Sequence, residues 1–290
     1  MKIIVGKNAG FCYGVKRAVD GAEEELLNQT QEIYCLGEIV HNKDVVKDLE
    51  SKGLKFIENI DEANGTTLIR AHGIPKRIYQ EANEKNIQLK DYTCPKVLTI
   101  HNIAEEYANK GFFIILTGSK IHPENIGTIS YCGHNFYVLE DENEINFAIE
   151  SLEKSGINKL LIISQTTFSV EKFEIIINKI KEQLPENIEI TIKNTICSAT
   201  KVRQIETEQL SKQVDKMIII GGKNSSNTKK LFEIAKKYCK NAYCIENDLE
   251  LDISIFNDDE IIGIMAGAST PQKSIKLVYE KLNNKNTILN

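Results

Sequence analysis

Short apolar runs alternate along this chain with longer stretches whose apolar residues recur at helical spacing. The apolar runs are IYCLG at 33–37, TTLIRA at 66–71, FFIILTG at 112–118, KLLIISQ at 159–165, KMIIIGG at 216–222 and IIGIMAG at 261–267. They are rich in β-branched residues, and most end in glycine or a polar residue. The stretches 42–52, 75–86, 95–110, 169–183, 198–213, 226–239 and 271–283 carry the helical pattern. Such alternation predicts α/β units with buried, mostly parallel strands.

The units repeat. One station is a cysteine just before a helix, in FCYGVKRA, TCPKVLTI and ICSATKVR. A second is a strand, a glycine and a polar cluster opening a helix, in LGEIVHNKDV, TGSKIHPENI and GGKNSSNTKKL. A third is a strand with a polar tip, in IRAHGIPKRI, ISQTTFSVEK and MAGASTPQKS. His41 lies 29 residues after Cys12, His122 lies 28 after Cys94, and Ser225 lies 28 after Cys197. Thr166 follows His122 by 44, and Ser269 follows Ser225 by 44, while His72 follows His41 by only 31. The repeat predicts three small α/β units, at 1–94, 95–194 and 195–290. Ligands of open parallel sheets bind beyond the carboxyl ends of the strands. A pseudo-threefold arrangement would therefore turn all nine tips toward one central pocket.

Composition narrows the function classes. A chain of 290 residues with a net charge of −5 has room for several small cores and no basic footprint for nucleic acid. No apolar run reaches the roughly 18 residues of a membrane span, and the opening MKIIVGKNAGF is too soon broken by Lys7 and Asn8 for a signal peptide. A cytoplasmic location is expected, where structural disulfides are disfavoured. The seven cysteines include no CxxC pair. Only Cys12, Cys94 and Cys197 occupy the cysteine station; Cys35, Cys132, Cys239 and Cys244 are expected to be structural.

Three cysteines at helix N-termini form a set of soft anionic ligands, because the helix dipole favours the thiolate. They suit zinc or an iron–sulfur cluster. A four-iron cluster on three cysteines would keep one iron open for substrate, and the spacing puts it only modestly ahead of zinc. The other stations supply His41, His72, His122, Glu124, Thr166, Thr167, Ser225, Ser226, Asn227, Ser269 and Thr270. Ser, Thr and Asn there also serve as helix caps. Several helix N-termini facing one pocket make an anion hole without Lys or Arg, which suits a phosphate or diphosphate. Glu124 is the candidate proton donor, since burial raises a carboxyl's pKa.

The segments GFCYGVKRA at 10–18, GEIVHN at 37–42, RAHG at 70–73, TCPKV at 93–97, HPE at 122–124, SQTTFS at 164–169, NTICSATKVRQ at 194–204, KNSSNT at 223–228 and GAST at 267–270 occur in an order that resembles the LytB family of 4-hydroxy-3-methylbut-2-enyl diphosphate reductases. The resemblance implies a three-domain trefoil around a [4Fe-4S] cluster held by Cys12, Cys94 and Cys197, with one iron not ligated by cysteine. It implies a diphosphate site at His41, His72, His122, Ser225, Ser226, Asn227 and Ser269. Glu124 would be the acid, His122 would stand beside it, and Thr166 or Thr167 would orient the substrate hydroxyl. The implied reaction is reductive dehydroxylation to isopentenyl and dimethylallyl diphosphate, with ferredoxin or flavodoxin as donor. Two positions depart from the family pattern: Ile121 replaces a glycine before His-Pro-Glu, and Tyr13 replaces an alanine after Cys12. A non-catalytic cluster protein would not need the phosphate set or the acid. A zinc hydrolase would be colourless and active in air.

Overall fold

The computed structural model describes residues 1–28 and 31–288. In chain order its strands are β1 (Lys2–Val5), β2 (Ile33–Leu36), β3 (Lys55–Ile57), β4 (Thr66–Ile69), β5 (Leu89–Asp91), β6 (Phe113–Thr117), β7 (Phe136–Leu139), β8 (Lys159–Ser164), β9 (Glu189–Ile192), β10 (Lys216–Ile220), β11 (Ala242–Ile245) and β12 (Ile261–Ala266). The helices are α1 (Tyr13–Leu27), α2 (Lys43–Ser51), α3 (Lys76–Glu84), α4 (Pro95–Asn109), α5 (Pro123–Ile129), α6 (Ile145–Ser155), α7 (Val170–Gln183), α8 (Ser198–Ser211), α9 (Ser226–Tyr238) and α10 (Gln272–Ile288). All six apolar runs are strands and all seven helical stretches are helices.

The strands form three parallel four-stranded sheets, in the orders β3-β2-β4-β5, β7-β6-β8-β9 and β11-β10-β12-β1. The two central strands of each sheet are the apolar runs. Ile114, Ile115 and Leu116 of β6 and Ile218, Ile219 and Ile220 of β10 have no exposed surface. Each such side chain contributes about 1.5–3 kcal/mol on burial. The central strands β6 and β10 are buried along their whole length, so they need no polar alternation.

The chain divides into two compact units. One comprises Met1–Lys16, Val40–Asp48 and Ser198–Asn290, the other Arg17–Ile39 and Leu49–Cys197. The first unit holds the sheet built on β10 and β12, whose core includes Met217, Leu231, Phe256, Met265 and Val278. The second holds the other two sheets, with cores around Phe113 and Phe173, around Ile100 and Leu161, and around Ile69 and Ile74. The fourth strand of the first unit's sheet comes from the start of the chain: β1 pairs with β12 in the register Lys2 to Ile261 through Val5 to Ile264. A unit drawn from residue 195 to the C-terminus therefore lacks one of its four strands.

The sheet orders show why the stations recur. In each sheet the edge strand β5, β9 or β1 runs into a cysteine, and the central strands run into the two polar stations. No helix among the described residues is long and apolar enough to cross a membrane.

Candidate functional site

Three cysteines follow edge strands and open helices. Cys94 caps α4, with Pro95 in the first helical position, where a missing N–H costs nothing. Cys12 directly precedes α1, and Cys197 directly precedes α8. One backbone hydrogen bond repeats at all three. The Cys94 N–H donates to the Ala71 carbonyl at 3.0 Å, that of Cys197 to Thr166 at 2.9 Å, and that of Cys12 to Ala268 at 3.1 Å. Ala71 precedes His72 and Ala268 precedes Ser269. By this register Thr167, not the Thr166 chosen by spacing, is the counterpart of His72 and Ser269.

All seven cysteines are free thiols. Cys12, Cys94 and Cys197 are partly exposed, whereas Cys35, Cys132 and Cys239 are buried. Burial pushes the Cys35 and Cys132 thiols up to about 12, which keeps them protonated and poor ligands. The Cys244 thiol is also raised by burial. The accessible, helix-opening cysteines thus have the chemistry of a soft metal or cluster site.

In the second unit, β6 and β8 bring His122, Glu124, Thr166 and Thr167 together. His122 caps the short helix α5, and its Nδ1 accepts the Glu124 N–H at 3.2 Å. A neutral His122 must then carry its proton on Nε2. The His72 ring stands edge-on to it, with centroids 5.3 Å apart and planes at 87°. Glu124 is only 2% exposed. Its Oε1 accepts from the Thr166 N–H at 2.6 Å and its Oε2 from the Thr166 hydroxyl at 2.5 Å. Burial raises its pKa to about 7, although both Thr166 hydrogen bonds favour the carboxylate. Thr166 is thus the threonine that reaches the acid. Thr167 instead accepts from the Gln165 side chain at 2.9 Å.

The first unit supplies a different set. Ser225 caps α9, its hydroxyl accepting the Thr228 N–H. Its capping role is real, and its own proton remains able to donate. Ser226 follows at the first helical position. Asn227 is 3% exposed, and its buried Nδ2 has no hydrogen-bond partner among the described residues. An orphaned amide donor in the first turn of a helix is the kind of group an anion would satisfy. The Ser269 hydroxyl donates to the His41 carbonyl at 3.0 Å, tying the turn that carries His41 to the tip of β12. Gly222 permits this approach, since a Cβ there would meet the His41 carbonyl at 2.6 Å. Asn42 then caps α2 through hydrogen bonds from Asp44 and Val45.

Sequence reasoning missed the groups that hold this machinery in place. Asn125 donates to Gln165 at 3.1 Å, joining α5 to the tip of β8. His101 is 1% exposed and stacks on Tyr131, with centroids 4.4 Å apart. It packs behind Gly73, where an added Cβ would lie 3.0 Å from its ring, and behind Gly127 of α5. Burial pushes its pKa down to about 4, so it is neutral packing material between the His72 turn and α5. Its place among Val97, Ile100 and Ala104 on the apolar stripe of α4 was the available signal. The two departures from the family pattern, Tyr13 and Ile121, are both strongly exposed, at 74% and 84%.

A family model described as LytB protein matches residues 3–283. The chain belongs to the LytB family. Among its relatives is the 4-hydroxy-3-methylbut-2-enyl diphosphate reductase of Caldanaerobacter subterraneus, 42% identical, with 97% of this chain and 96% of the relative covered. The reductase of the same name from Clostridioides difficile is 40% identical, with 98% and 100% covered. The solved structure of (E)-4-hydroxy-3-methyl-but-2-enyl diphosphate reductase, described as the terminal enzyme of the non-mevalonate pathway, aligns with a TM-score of 0.71 at 38% identity, covering 98% of this chain and 99% of that one. The structure of the Plasmodium falciparum E-1-hydroxy-2-methyl-but-2-enyl-4-diphosphate reductase aligns with a TM-score of 0.88 at 31% identity, covering 98% and 88%.

Proposed function

We propose that this LytB chain is an iron–sulfur oxidoreductase that converts 4-hydroxy-3-methylbut-2-enyl diphosphate to isopentenyl and dimethylallyl diphosphate. The substrate carbon–hydroxyl bond breaks. Two electrons and two protons enter, and water leaves. The observation that carries the reading is Glu124, a buried carboxyl with a pKa raised to about 7 and both oxygens bonded to Thr166. Hydroxide is a poor leaving group, and an acid half-protonated near neutral pH is what its departure requires.

Cys12, Cys94 and Cys197 hold a [4Fe-4S] cluster in this reading. When bound, that cluster would supply the electrons, received from ferredoxin or flavodoxin, and an iron without a cysteine ligand as a Lewis acid. The remaining chemistry belongs to the chain. Thr166 orients the substrate hydroxyl and keeps the Glu124 carboxyl aimed at it. His122 presents Nε2–H as a donor, and His41 and His72 add imidazole donors for the diphosphate. Ser225, Ser226, Asn227 and Ser269 complete that grip, Asn227 through its orphaned amide. The three α/β units are those of the repeat, 1–94, 95–194 and 195–290, the last completed by β1. The location proposed is the cytoplasm.

Replacement by serine tests the ligand set. Protein prepared without oxygen is expected to lose its visible absorption and most of its iron in Cys12→Ser, Cys94→Ser and Cys197→Ser. Cys35→Ser and Cys132→Ser should keep both. A full cluster in Cys197→Ser would refute the assignment.

A further inference from the structure

Arginine is scarce in this chain. Lys and Arg together number 36, yet Arg occurs only at 17, 70, 77 and 203. Two of the four do the same job. Arg17 lies on α1, the helix opened by Cys12. Its Nη1 donates to the Thr93 carbonyl at 3.1 Å and its Nη2 to the Asp91 carbonyl at 3.2 Å. Thr93 is the residue before Cys94. Arg203 lies on α8, the helix opened by Cys197. Its Nη2 donates to the Gly10 carbonyl at 2.6 Å and its Nη1 to the Ala199 carbonyl at 3.1 Å. Gly10 stands two residues before Cys12, at a φ of +101° that favours glycine.

Each guanidinium thus leaves a helix opened by one cysteine and grips the loop that delivers another. Secondary contacts reinforce both loops. Glu206, one turn beyond Arg203, accepts the Lys7 N–H at 2.6 Å, the Asn8 N–H at 3.0 Å and the Asn8 side-chain amide at 2.8 Å. Gln272 donates to the Ala9 carbonyl at 3.2 Å. On the other loop, Asp91 accepts the Thr93 N–H at 2.8 Å, and Arg17 lies over the Tyr92 ring. A planar two-donor fork suits paired carbonyls, where a lysine ammonium reaches only one well. The third copy differs. On α4, the helix opened by Cys94, the matching positions are Thr99 and Ile100, and the Thr99 hydroxyl is spent on the Pro95 carbonyl of its own helix. The Cys197 loop is held by Thr195 and Ser164 instead, the Thr195 hydroxyl donating to Ser164 and accepting its N–H.

We propose that Arg17 and Arg203 are positioning residues that preset Cys94 and Cys12, respectively, for cluster binding. The inference rests on the cluster reading for its purpose, but the clamps themselves are tested without it. Loosening a clamp frees one cysteine loop and not the other. Losing hydrogen bonds of this strength should speed cluster loss about ten- to a hundredfold.

The experiment uses the holoprotein, without oxygen, as Arg17→Met, Arg203→Met and Arg77→Met, with Arg17→Lys and Arg203→Lys as milder variants. Backbone hydrogen exchange is read by mass spectrometry over segments 7–12 and 91–94. Cluster loss to an iron chelator is followed by visible absorption. Arg203→Met should accelerate exchange at 7–12 and leave 91–94 unchanged, and Arg17→Met should do the reverse. Both should lose cluster faster than the parent and Arg77→Met, with the Lys variants between. If a Met variant fails to fold, its Lys counterpart carries the same crossed comparison. Exchange that rises equally in both segments, or in neither, overturns the proposal, as does unaltered cluster loss. If the parent protein contains no iron, the cluster reading fails, and the crossed exchange pattern still decides whether the clamps exist.

Discussion

In the second unit, the helix after β6 opens with His122-Pro123-Glu124, and its carboxyl turns inward onto Thr166. In the first unit, the equivalent helix after β10 opens with Ser225-Ser226-Asn227 and has no acidic residue in its first turn. The two helices follow the same kind of strand at the same place in the repeat. One buries a carboxyl, which desolvation brings to a pKa of about 7. The other buries a neutral amide whose donor is left over. A carboxylate beside a diphosphate would repel it, and an amide could not deliver a proton. The repeat therefore supplies one scaffold, and in the proposed reading the side chain at its helix opening suits one corner to proton transfer and the other to an anion.

The sharpest way to break this comparison is Glu124→Gln. Shape and much of the hydrogen bonding survive, but no titratable acid remains. The cluster should assemble and the product diphosphate should bind normally, while turnover falls by roughly 10²–10⁴-fold, as for a lost general acid. Steady-state kinetics beside an iron determination would show it, and near-normal turnover would assign the proton to His122 or to the substrate's own diphosphate.

Asn227→Ala strikes the other corner. Hydrogen bonds to charged groups are worth about 1.5–3 kcal/mol, so affinity for isopentenyl diphosphate should weaken about ten- to a hundredfold. Iron content should not change. Calorimetric titration measures this, and unchanged affinity would reduce Asn227 to a structural amide.

The smallest effect is a shift in pH dependence. The protonated acid prevails below a pKa of about 7, so turnover should fall as pH rises through that value. Thr166→Val removes a hydrogen bond that favours the carboxylate, so the Glu124 pKa goes up. The alkaline limb of kcat should move to higher pH, with a lower plateau. A limb that stayed in place would mean that another group sets it.

Legibility in the sequence followed burial. The central strands are apolar on both faces, so β2, β4, β6, β8, β10 and β12 stand out as runs. The edge strands do not: Lys2–Val5, Lys55–Ile57 and Glu189–Ile192 mix charged and apolar residues because one side of each meets solvent. Missing β1 hid the closure of the first unit's sheet by the start of the chain. The proposed site residues could be picked out because each stands at a repeated strand-to-helix junction. Gln165, His101, Arg17 and Arg203 could not, since the partners that give them their place, Asn125, Gly73, Thr93 and Gly10, are far away in sequence. The spacing rule chose Thr166 at the third station, whereas the Cys197 N–H marks Thr167 as the true counterpart of His72.

The most direct test of the account is turnover of 4-hydroxy-3-methylbut-2-enyl diphosphate by protein purified without oxygen, with a chemical reductant as electron source. The account predicts a brown protein that forms isopentenyl and dimethylallyl diphosphate, releases no inorganic phosphate and loses activity on exposure to air. A colourless protein that hydrolyses phosphate from the substrate in air, or a brown one that leaves the hydroxyl in place, would contradict it.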